Sequence, residues 1–150
     1  MTMTMSELRA QLSSIEPTEE TYAGIGPDEV GLLRELLDDE EAWMAARAVH
    51  ALSRIDDPAA REALVEAAAK PRMEVRVAVA SAARDLPPET SDEVLPALLD
   101  DDHTAVRKFA VGAVSARNSA AVREQVSALA SNEPDDRVRG LAGEKARSVS

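Results

Sequence analysis

The stretch 74-EVRVAVASAA-83 is followed 31 residues later by 105-AVRKFAVGAV-114, and 31 residues upstream of it stands 43-WMAARAVHAL-52. A fixed period decides a fold before any other signal, because a unit that cannot bury its apolar face alone must stack on its copies. On this step Met44, Val75 and Val106 form one apolar column, Ala48, Val79 and Ala110 a second, and Ala51, Ala82 and Ala113 a third. The columns lie four and then three residues apart. That is helical spacing, and it sets them on one buried stripe.

The segments between these stretches repeat on the same step, with Leu33, Leu64, Leu95 and Val126 in one column and Leu36, Ala67, Leu98 and Leu129 in another. Each unit is therefore two helices. The spacing predicts first helices over 27–38, 58–69, 91–100 and 119–131, and second helices over 40–54, 72–85, 103–116 and 135–148. Asp57-Pro58 reads as an N-cap followed by a proline at the first helical position, and Thr90 with Glu93 as a capping box. The acidic runs Asp38-Asp39-Glu40-Glu41 and Asp100-Asp101-Asp102 fall at the turn into a second helix, where the helix dipole favours negative charge. No glycine-bearing calcium loop accompanies them, so they are not read as a metal site. In the last unit, 134-PDDRVRGLAGEKARSV-149, Val138 and Arg139 stand one residue out of phase, and Lys145 falls near a column that is small elsewhere.

The expected architecture is an all-α, right-handed α-solenoid of about four helical hairpins, with units near 27–56, 57–87, 88–117 and 118–150. Ahead of it, 1–26 comprises a capping helix and a linker: Met5, Leu8, Leu12 and Ile15 share one face, and Tyr22 and Ile25 pin down the polar stretch before Pro27.

Composition agrees and excludes. With 150 residues, 45% of them hydrophobic, the chain fits one domain with a real core. Its only aromatics are Tyr22, Trp43 and Phe109, so the core is Ala, Val and Leu and its helices must approach closely. Acidic residues outnumber basic ones 28 to 17, a net charge of −11 that disfavours binding to a phosphate backbone. Cysteine is absent, which removes disulfides, thiolate nucleophiles and zinc–thiolate sites. No apolar run approaches membrane-spanning length and no signal-peptide pattern opens the chain. A cytoplasmic protein is expected.

The pattern Asp-x-x-x-x-Val-Arg-x-x-Ala-x-x-Ala, carried best by Asp101, Val106, Arg107, Ala110 and Ala113, resembles HEAT repeats of the short bacterial type first associated with phycobilisome lyases. Val75, Arg76, Val79 and Ala82 form a second match, with Lys70 where the acid should be; Glu133, Val138, Arg139 and Ala142 form a third. The first unit has Met44-Ala45 in place of Val-Arg. The resemblance implies an ion-pair ladder between units, with Arg76, Arg107 and Arg139 structural and paired with carboxylates such as Asp101 and Glu133. It fixes architecture more than activity, since the family ranges over scaffolds, chromophore-lyase subunits and a few enzymes.

Chemistry is hard to find. His50 and His103 occupy non-equivalent positions in the unit, and no His-Glu dipeptide, Gly-x-Ser-x-Gly elbow or phosphate-binding glycine loop is present. No enzymatic activity, cofactor or metal is expected. A surface remains. Second-helix positions that escape the buried stripe form the columns Trp43/Glu74/Ala105, Ala46/Val77/Lys108, His50/Ser81/Gly112 and Ser53/Arg84/Ser115. Trp43 either anchors a partner or packs against the linker at Tyr22, with Arg47 in cation–π reach four residues on. Met73 and Val77 would extend an apolar strip. The expected function is a protein-binding module whose partner lies on a concave face of Trp43, Arg47, His50, Met73, Val77, Arg84 and Lys108. An accessory subunit of a chromophore lyase or another enzyme complex is the alternative.

Overall fold

The computed structural model describes residues 3–14 and 18–150, and Ile15 lies outside the described residues. Among these the chain is helical throughout. Helices α1 (Met5–Leu12), α2 (Val30–Leu36), α3 (Ala42–Ser53), α4 (Pro58–Ala67) and α5 (Met73–Ala82) are followed by α6 (Pro88–Leu99), α7 (Thr104–Ala113), α8 (Ala120–Asn132) and α9 (Asp136–Val149). Short 3-10 turns occupy Glu19–Tyr22, Pro27–Glu29 and Ala83–Asp85.

These helices form two parallel rows. The first-helix row runs α2, α4, α6, α8 and the second-helix row α3, α5, α7, α9, each helix packing on the next of its row and on its hairpin partner. This is an α-solenoid. The period places the core: Ala48, Val79, Ala110 and Ala142 are fully buried, as are Leu33, Leu95 and Val126. Alanine in the inter-unit column lets the second helices approach closely, and apolar surface removed from water stabilises the stack by roughly 25 cal/mol per Å2. The phase slip in the last unit comes from the longer α8, which runs 13 residues before Glu133.

Helix starts follow local chemistry. Asp57 accepts from the Ala59 N–H at 2.8 Å with Pro58 at the first position, while Ser119 and Asp135 cap α8 and α9. The sequence expectation fails at α6, which starts at Pro88 rather than with Thr90 as its cap. Tandem Pro87-Pro88 presets the backbone for an earlier start at no cost in N–H groups. Thr90 and Ser91 are consequently buried inside the helix, and Ser91 accepts a hydrogen bond from the Asn118 amide at 2.7 Å.

Two rungs of ion pairs tie successive units. Arg76 Nε lies 2.7 Å from Asp101 Oδ2 and its Nη2 3.2 Å from Oδ1. Arg107 grips Glu133 with both contacts at 2.8 Å. The remaining Nη1 of each arginine turns back to the turn that opens its own helix, Arg76 to the Lys70 and Pro71 carbonyls and Arg107 to the Asp101 carbonyl. Arg139 likewise donates to the Glu133 carbonyl at 2.9 Å, and takes its carboxylate from Asp136 one turn back. At the other end α1 packs on α3, buries Leu8 and Leu12, and its Arg9 pairs with Asp39, the residue that occupies the Asp101 position of the first unit.

Both ladder acids titrate below their usual range. Burial pushes the Asp101 carboxyl up, but the Arg76 hydrogen bond and the His103 N–H outweigh it; the Arg107 hydrogen bond dominates at Glu133. Their ordinary values are 3.8 and 4.5. A depressed folded-state pKa means the unfolded chain binds the proton first, so this stability is complete at neutral pH and is lost as pH falls below about 4.5. Thermal melts of wild type should show that acid loss, and Glu133→Gln should flatten it. Arg107→Ala leaves Glu133, whose side chain is fully buried, without its cation. It should cost about 3–5 kcal/mol in urea unfolding at pH 7, whereas a cost under 1 kcal/mol would remove the ladder from the account. Val106→Asp puts an unpaired charge at a fully buried position and should abolish the cooperative transition.

Candidate functional site

The second-helix row presents side chains at the register positions that point away from the first-helix row. Three hollows follow one another along it. The first, about 500 Å3, lies between the turn at Thr18–Tyr22 and α3 and is walled by Tyr22, Trp43, Arg47 and His50. The second, about 370 Å3, is framed by Ala46 and His50 on α3, Glu74, Val77 and Ser81 on α5, and Phe109 on α7. The third, about 270 Å3, holds Arg84, Lys108, Phe109, Gly112 and Leu141. Ala46 and His50 belong to both the first and second hollows, and Ser81 and Phe109 to both the second and third. They make one groove across α3, α5, α7 and α9.

Trp43 is 45% exposed and so is not core. Its indole N–H donates to Glu41 at 3.2 Å and the Arg47 guanidinium lies over the ring, 5.1 Å from its centroid. Arg47 has a second task that the sequence did not disclose. It donates to the Leu12 carbonyl at 2.5 Å and to the Ser14 carbonyl, which closes the C-terminal end of α1 onto α3. The linker packs against His50 rather than Trp43, with the Tyr22 ring centroid 4.5 Å from the imidazole. Burial, then the charge of Arg54, holds the His50 imidazole below its ordinary value against the opposing pull of Asp85 and Glu19.

Of the other residues expected on this face, Val77, Arg84 and Lys108 line the groove. Met73 does not. It sits at the start of α5, half-buried against the core, and lines none of the three hollows. Two apolar groove residues were missed: Phe109, 43% exposed, and Leu141, 38% exposed. Both lie on the column that continues from Arg47 through Ala78, stepping 31 residues and then 32 across the slip in α8. The period that located the core would have located them.

Lys145 also belongs here. It occupies the Ala113 column, donates from Nζ to the Gly112 carbonyl at 3.2 Å, and is held below its ordinary pKa by burial and then by the charge of Arg84. Among the described residues no three His, Cys, Asp or Glu side chains converge as they would on a metal ion, and no helix is long and apolar enough to cross a membrane.

No family model and no curated protein matches the chain. Among solved structures it is similar to a designed armadillo repeat protein in complex with the peptide (KR)4, at a TM-score of 0.53 and 18% identity, over 97% of this chain and 82% of that one. At that identity the likeness is one of fold. The chain is a helical-repeat solenoid.

Proposed function

We propose that this chain is a non-enzymatic protein-binding module, a short HEAT-like solenoid that holds an extended segment of a partner protein along the groove of its second-helix row. One observation carries the reading: the hollows run unbroken across four helices and expose Trp43, Phe109 and Leu141, when nearly all the other large apolar side chains are buried or half-buried. A monomer gains nothing from leaving its largest rings wet, and Trp is the residue most enriched where binding energy concentrates. The groove is also preformed. Arg47, Tyr22 and the ladder arginines hold its walls through contacts within the chain, so binding costs little ordering entropy. The structurally similar armadillo design is itself in complex with a peptide, which supports the choice of an extended segment over a folded partner. Within helical-repeat proteins, the ladder of Arg76, Asp101, Arg107 and Glu133 favours the short HEAT-like type. The adaptor role assigns no chemistry to His50 or to the acidic turns.

The test is selection from a displayed library of random peptides, followed by titration of the enriched sequences. Peptides selected on wild type should bind Trp43→Ala more weakly by roughly 1–3 kcal/mol, with helicity by circular dichroism unchanged. Equal binding to both proteins would take Trp43, and the groove it anchors, out of the reading.

A further inference from the structure

The groove is split in charge along its length. Its first two hollows carry acids: Glu19 lines the first, and Glu74 and Asp85 line the second. Of the cations beside them, Arg54 is paired with Glu19 and the Arg47 guanidinium is turned to the Leu12 and Ser14 carbonyls. In the third hollow the sign reverses. Arg84 and Lys108 line it, and Lys145 reaches the Gly112 carbonyl at its wall. None of these three forms an ion pair among the described residues, and no carboxylate lines the hollow. In a chain of net charge −11, this apolar hollow is lined by cations and by no acid.

We propose that the groove's occupant is a charge-split extended segment of a partner protein. An Asp or Glu carboxylate sits among Arg84, Lys108 and Lys145, an apolar side chain beside it rests on Phe109 and Leu141, and a Lys or Arg lies over Glu74. The spacing follows from geometry. Neighbouring helices of a row sit roughly 8–10 Å apart and an extended chain advances about 3.3 Å per residue. One hollow therefore spans about three residues, and the two charged side chains of the segment are about three apart. This inference rests on the groove reading above and adds the chemistry of what fills it. It departs from the wholly basic (KR)4 of the designed neighbour, because Arg84 and Lys108 line the third hollow and no carboxylate does.

The experiment uses three labelled synthetic peptides of about ten residues, the length of three hollows. They share their leucine positions; one carries Lys in one half and Glu in the other, one only Lys, one only Glu. Each is titrated into the full chain by fluorescence anisotropy, with the emission of Trp43, the single tryptophan, as a second readout of groove occupancy. The split peptide should bind roughly tenfold tighter than either uniform one, and Lys108→Glu/Lys145→Glu should reverse that order in favour of the Lys peptide. Should the double variant lose helicity, Arg84→Glu, at an exposed position, provides the same comparison. If the Lys peptide binds wild type tightest and shifts Trp43 emission, the charge-split inference is overturned and the groove reading stands. If no peptide binds or perturbs Trp43, both fall.

Discussion

The arginine in the first turn of the two middle second helices, Arg76 of α5 and Arg107 of α7, is the contact on which the rest of the array depends. It makes two connections at once, forward to the carboxylate of the next unit and back to a carbonyl of its own turn. An apolar interface of alanines and valines has many nearly equivalent registers, since sliding one smooth helix along another costs little burial. A bidentate guanidinium–carboxylate pair has one. A desolvated pair adds little net stability over a well-packed apolar substitute. Its contribution here is to select a single stacking from those the core would tolerate, and the groove inherits that definition because its walls come from successive units.

The ladder has an exception whose parts change together. At the first interface Ala45 replaces the arginine and Lys70 replaces the acid, so neither charge is left facing an empty position. Lys70 instead pairs with Asp38 across the interface, and Arg72 donates to the Asp39 carbonyl. The Asp39 carboxylate, the ladder acid with no preceding repeat to face, pairs with Arg9, through which α1 seats on the stack. The N-terminal helix thus takes the place a preceding repeat would hold, and Arg47 completes the attachment from the groove side.

What was legible in the sequence was periodic, and what was not depended on a single unrepeated partner. The buried columns and the helix pairs follow from one step of 31 residues, because each constraint recurs from unit to unit, whereas the ladder was expected from the HEAT-repeat resemblance. Phe109 and Leu141 were legible by the same rule, as members of the Arg47 column. Arg47's grip on the Leu12 and Ser14 carbonyls was not, since a backbone acceptor has no side-chain signature. The Tyr22–His50 stack and the seat of Lys145 on the Gly112 carbonyl are of the same kind, one-off contacts across 28 and 33 residues. The α6 start was misjudged for a different reason: Thr90 and Glu93 have the spacing of a capping box, but Pro87-Pro88 upstream begins the helix before that signal can act.

Net charge is a poor guide to such a groove. Many of the acids behind the −11 are already committed, Asp39, Asp101 and Glu133 to arginines, Asp57 and Asp135 to helix caps. A bound segment does not meet their summed field. At physiological ionic strength exposed charges are screened beyond about 8 Å, roughly the distance from one hollow to the next. Each hollow would therefore present its own sign to a segment lying in it. A rigid row of identical helices would read only length and hydrophobicity. Point charges placed unit by unit would let such a scaffold read order along a segment held in the groove.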